Sequence, residues 1–176
     1  MNLTLLGDVE RSNGANLRAG ELYAEALSLR ESRGMGGTAT PSLLHNLGYV
    51  ELANGDAQRA AERFGEAIVQ FRRLGDQRGI AESVVGLGAV AVFEARAETA
   101  ARLFGAAEAA LEALGTDLWP SNRGVYERSV AVARDALEPQ VFEAVWRAGR
   151  QLSLDQAAAA AIDGNYRVRQ REPGRR

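Results

Sequence analysis

Apolar residues along the chain recur at spacings of three and four, the period of a helix that buries one face, and the same arrangement returns three times. Leu6-Gly7 is matched by Leu47-Gly48 and by Leu87-Gly88, steps of 41 and 40 residues. Twelve residues after each glycine stands an alanine (Ala19, Ala60, Ala100), four further an aromatic (Tyr23, Phe64, Phe104), and three further another alanine (Ala26, Ala67, Ala107). A fixed period of this size marks a stacked array of helical repeats. The expected fold is therefore all-α, and its expected work is contact.

Each repeat reads as a pair of helices. In the second, Thr40 and Pro41 open a helix with a Leu43, Leu44, Leu47, Val50 stripe, because the missing N–H of proline costs nothing in a first turn. Asn54-Gly55-Asp56 makes the turn, and Asp56 is placed to cap a second helix that carries Phe64, Ala67, Ile68 and Phe71 and ends at Gly75-Asp76. The first repeat repeats this with a Leu3-Leu6 stripe, a Ser12-Asn13-Gly14 turn, then Leu22, Tyr23, Ala26 and Leu27. The third starts at about Ile80; its turn has Ala95-Arg96 where the second has Gly55-Asp56, so a less defined turn is expected. Gly7, Gly48 and Gly88 fall mid-helix, where glycine costs about 1 kcal/mol against alanine. That cost is offset if the paired helices cross closely at these glycines and at Ala19, Ala60 and Ala100.

The three repeats are expected at about 1–35, 41–75 and 81–115. Residues 116–163 read as three more helices: Tyr126, Val130, Ala133 and Leu137 after the Trp119-Pro120 break, then Phe142, Val145, Trp146 and Gly149, then a helix capped by Ser153 and Gln156 that stops at Gly164. Their expected role is to cover the apolar end of the stack. Residues 164–176 are expected to form a disordered, arginine-rich tail.

Composition narrows the chemistry. All 21 basic residues are arginine, cysteine is absent and His45 is the only histidine. A cysteine nucleophile, a lysine Schiff base and a P-loop lysine are therefore excluded, and one histidine cannot supply a zinc site. No G-x-S-x-G elbow presents a serine to His45. Catalytic residues, cofactors and metals are all expected to be none. The net charge of −2 favours neither nucleic acid nor an anionic membrane. No apolar run approaches the roughly 20 residues that span a bilayer, and the N-terminus lacks a signal-peptide pattern; cytoplasm is the expected compartment. GLGAVA at 86–91, with Glu108 beyond it, matches a dinucleotide fingerprint in letters, but Leu87-Gly88 is in register with the other repeat glycines. Glu62 and Glu66 alternate with Arg59 and Arg63 and read as a solvated face.

Leu47, Gly48, Ala60, Phe64 and Ala67, with their equivalents, resemble the tetratricopeptide repeat over about residues 1–115, at a period of about 40 rather than 34. The resemblance implies a right-handed superhelix of antiparallel helix pairs. The longer period, together with the stretch 104–162, resembles the C-terminal repeat region of actinobacterial STAND-type regulators and predicted ATPases of the MalT and LuxR-like kind. It implies a non-catalytic scaffold for protein–protein interaction in signalling or transcriptional regulation. Its partner would be another protein or the ATPase portion of a larger regulator. The nucleotide-binding and DNA-binding modules of that family fit nowhere in these 176 residues, so direct nucleic-acid binding is not implied. The uncovered first repeat is expected to allow self-association. In the tetratricopeptide fold, one face of the first helices lines a concave groove; it would hold Ser42, His45, Tyr49, Leu52, Glu82, Val85 and Phe93. The groove lacks the basic and amide set that clamps C-terminal carboxylates. An apolar helix or the capping helices would suit it, and the alternative function is a ligand-sensing arm that binds a small molecule there.

Overall fold

The computed structural model describes residues 2–34 and 39–171. Among these the chain forms nine helices and no strand: α1 (Leu3–Ser12), α2 (Asn16–Ser32), α3 (Ala39–Ala53), α4 (Ala57–Leu74), α5 (Gln77–Phe93), α6 (Ala97–Ala113), α7 (Pro120–Asp135), α8 (Pro139–Arg150) and α9 (Leu154–Arg171). The architecture is all-α and helical-repeat-like. Consecutive helices from α1 to α6 pack on one another, α8 and α9 pack on α6, and α7 turns back to touch α1, α5 and α6.

Local chemistry sets the boundaries. The Asp56 carboxylate accepts the Arg59 N–H at 2.9 Å and starts α4; Asp76 does the same for Gly79 at 2.8 Å and starts α5. That cap brings α5 in three residues before Ile80. α3 begins at Ala39, so Thr40 is a first-turn residue and not the cap, and Pro41 stands where the first four N–H groups are free of partners. Ser153 and Gln156 exchange the reciprocal bonds of a capping box, at 2.9 and 3.2 Å. α9 does not stop at Gly164 but continues to Arg171. The tail expected to be disordered is therefore helical as far as Arg171, and 172–176 lie outside the described residues. The third turn is as well formed as the others. Ala95 takes φ 56°, the left-handed conformation that Gly14 (79°) and Gly55 (85°) adopt at the same register position.

Packing follows the repeat. Ala19, Ala60, Ala100, Tyr23, Phe64 and Phe104 are fully buried. A Cβ added to Gly7, Gly48 or Gly88 would come under 3.0 Å from the ring of Tyr23, Phe64 or Phe104, respectively. Each glycine thus gives way to the aromatic ring of its own pair. α5 is buried on nearly all sides, from Gly79 to Ala91, as an all-round apolar helix must be. At the far end, α6 and α8 meet backbone to backbone: a Cβ on Gly105 would strike the Trp146 carbonyl, and one on Gly149 the Arg102 carbonyl. Arg72 of α4 pairs with Asp155 of α9 at 2.7 Å.

Candidate functional site

Arg11 from α1, His45 from α3, and Glu82 with Ser83 from α5 converge on one residue of α7, Asn122. His45, Glu82, Ser83 and Asn122 are fully buried, and Arg11 keeps 9% of its surface. The Asn122 carbonyl accepts from Arg11 Nη2 at 2.9 Å, and its amide donates to Glu82 Oε2 at 2.8 Å and to His45 Nε2 at 2.9 Å. The amide can sit only one way, since a flip would set its oxygen against the Glu82 carboxylate and its NH₂ against the guanidinium. His45 Nε2 is therefore the acceptor, and Nδ1–H donates to Ser83 Oγ at 3.1 Å. Ser83 passes its own proton to the Gly79 carbonyl at 2.9 Å.

Several contacts hold α7 in place. The Trp119 N–H donates to Glu82 Oε1, Arg11 Nη1 reaches the Ser121 carbonyl at 3.3 Å, and Arg78 Nη2 reaches that of Asp117 at 2.8 Å. Around the imidazole, Tyr49, Phe64 and Trp119 stand edge-on with centroids at 5.2, 5.6 and 5.1 Å. Arg11 lies over the Tyr49 ring at 5.2 Å and Arg78 over Trp119 at 5.7 Å. Burial, helped by the Arg11 charge, lowers the His45 pKa to about 3. Burial raises that of Glu82, against the pull of Asn122, the Trp119 N–H, Arg78 and Arg11. Next to this cluster, Asp8 accepts from Tyr23 Oη at 2.7 Å and from Asn46 Nδ2 at 2.9 Å.

The groove residues expected from the sequence do not form an open groove. His45, Tyr49, Glu82 and Val85 are buried, Ser42 and Leu52 are half-buried, and Phe93 is exposed at the end of α5. His45 and Glu82 lie against Asn122 and Trp119, and Tyr49 is packed by Arg11, His45 and Phe64. Arg11, Ser83, Trp119 and Asn122 complete the cluster and were not singled out by spacing. Chemically, the His45–Ser83 pair is no nucleophile with its base: the imidazole proton points at the hydroxyl, and the hydroxyl proton points at a carbonyl. Gly86 and Gly88 lie within α5 under Phe64 and Phe104, not in a strand-to-helix turn, and Glu108 accepts from Trp146 and Arg150 at 2.9 and 3.0 Å. Among the described residues no group of three His, Cys, Asp or Glu is placed to hold a metal ion, and no helix is long and apolar enough to cross a membrane. Searches against protein-family models, curated proteins and solved structures give no match to this chain.

Proposed function

We propose that the chain is a non-catalytic, cytoplasmic scaffold of tetratricopeptide type, a right-handed stack of helix pairs that works by presenting faces to another protein. The observation that carries this reading is α7 itself. It packs on α1, α5 and α6 and is gripped by side chains from the first helix of each pair, Arg11, His45 and Glu82. A face that holds a helix in this way is built for helix recognition, and here the chain supplies the helix. Contact with another protein then falls on the surfaces that α7, α8 and α9 leave free. The resemblance to the repeat region of STAND-type regulators is consistent with a regulatory role.

A thermal-unfolding screen against a metabolite panel tests this against the sensing alternative. A ligand at 1,000 times its Kd adds about 4 kcal/mol to stability, an unmistakable rise in Tm. The scaffold reading expects no shift with any metabolite. A saturable shift abolished by His45→Ala or Glu82→Gln would replace it with ligand sensing on the inner face.

A further inference from the structure

We infer that the cavity between α5, α6 and α7 is the anchor site for one arginine side chain of a partner protein. This inference rests on the scaffold reading and deepens it, by naming where the scaffold binds and what it recognises there.

The cavity measures about 240 Å³ and opens to solvent. That exceeds the roughly 150 Å³ that admits a benzene-sized guest. It falls short of the roughly 300–1,000 Å³ of pockets that take whole drug-sized ligands or cofactors, so it fits a single side chain. Val85, Leu111 and Tyr126 give it apolar walls, suited to the methylene stem of a long side chain. Glu108, Glu112, Asp117 and Glu127 line it against a single arginine, Arg123, and the sign of the occupant follows. No three of these carboxylates are placed to hold a metal ion. The negative charge is spread over the walls and suits an extended organic cation.

Two further observations agree. Burial first, and then the Glu108 and Glu112 charges, push the Tyr126 hydroxyl pKa up to about 12; a field that disfavours a phenolate favours a cation. The chain also seats an arginine of its own on the same pair: Arg150 Nη1 donates to Glu108 Oε2 at 3.0 Å and to Glu112 Oε1 at 3.3 Å. Arg150 does not line the cavity. With it counted, four carboxylates still face two guanidiniums. Among the described residues the Asp117 and Glu127 carboxylates form no hydrogen bond or ion pair. Arginine suits the site better than lysine, because it stays charged beside the half-buried Glu108, sheds water more readily and stacks on an aromatic wall.

The probe is arginine blocked at both ends, as its acetyl and methylamide derivative, titrated into the full chain. The Trp146 indole N–H donates to Glu108 at 2.9 Å, so its resonance, one of two indole signals in the protein, reports on the cavity. A saturable shift of that signal is expected, and none with blocked citrulline, which keeps the shape without the charge. Asp117→Asn with Glu127→Gln should weaken binding about tenfold. Both side chains are exposed, and unchanged circular dichroism verifies the fold. Glu21→Gln with Glu66→Gln, equal in charge but outside the cavity, should leave binding unchanged. No saturable shift, an equal shift with citrulline, or equal weakening by the two double variants overturns the site. Tighter binding of free arginine than of the blocked form overturns the partner assignment, because the occupant would then be a metabolite. The scaffold reading falls separately, on a ligand shift that depends on His45 or Glu82, neither of which lines this cavity.

Discussion

Tyr49 carries a buried hydroxyl that meets no hydrogen-bond partner, although its ring packs edge-on against Phe64 at 5.0 Å. Tyr49→Phe keeps that packing and removes the unmet group, so stability is expected to rise by about 1 kcal/mol in urea denaturation; a loss of that size would show that the hydroxyl is bonded. His45 gives a second test because it is the only histidine, and its ring resonances report one site. In the folded protein they should not titrate from about pH 8 down to 5, and nitrogen shifts should show the proton on Nδ1. The unfolded chain takes up this proton near 6.5, the folded chain only near 3. Stability held by the neutral ring is therefore lost as pH falls from 6.5 towards 3, by up to about 1.4 kcal/mol per pH unit. Glu82 acts oppositely: its raised pKa makes its buried charge a cost that protonation relieves as pH falls. A histidine signal that titrates near 6.5 would contradict the Asn122 hydrogen bond. His45 and Glu82 were singled out as groove residues, and the structure buries both. Helix register put His45 and Glu82 on one face, but Arg11 reads as a surface arginine and Asn122 as an ordinary residue beyond a proline, since nothing local marks a contact with residues so far away in the chain.

Among the elements, the third turn carries a testable strain. Ala95 holds a left-handed φ where its two counterparts are glycine, and that conformation costs an L-residue about 1 kcal/mol. Ala95→Gly should recover most of it, read as a higher urea midpoint with an unchanged slope. The α6–α8 crossing makes the reverse case. Gly149→Ala would drive a methyl into the Arg102 carbonyl, which backbone cannot yield to, and should cost about 3 kcal/mol. Gly65→Ala on α4 is the control: the new Cβ finds only Ile162 Cδ1, at 3.9 Å, so helix propensity alone should add about 1 kcal/mol. The helix pairs were legible because the small and aromatic positions recur, and each recurrence is a packing contact. The third turn was misjudged because letters alone suggested that losing glycine loses the turn. In the fold, the packing of α5 on α6 holds Ala95 in the conformation that glycine would adopt freely.

For the whole molecule, the all-α, helical-repeat-like character was legible in the sequence, and α8 and α9 pack on α6. The Tyr126, Val130, Ala133 and Leu137 stripe of α7 does pack on the core, but its contact with α1 was not foreseen, because Asn122, buried at the other end of the helix, lies outside that stripe. At that end a buried amide, matched by an arginine, a carboxylate and an imidazole, joins α7 to the first, third and fifth helices. That clasp joins residues 111 positions apart, whereas the helix pairs are joined through neighbours in sequence. Time therefore enters the architecture. Local pairs form early, and a contact that closes so long a loop gains its energy only after the pairs on both sides exist. Asn122→Ala should leave the refolding rate nearly unchanged while it speeds unfolding on the order of a hundredfold, the kinetic signature of an interaction absent from the transition state. Stopped-flow chevrons on the two proteins would read this directly; a slowed refolding arm would put the clasp in the folding nucleus. The residue that binds first helix to seventh thus governs how long the folded molecule lasts, and has little say in how fast it is made.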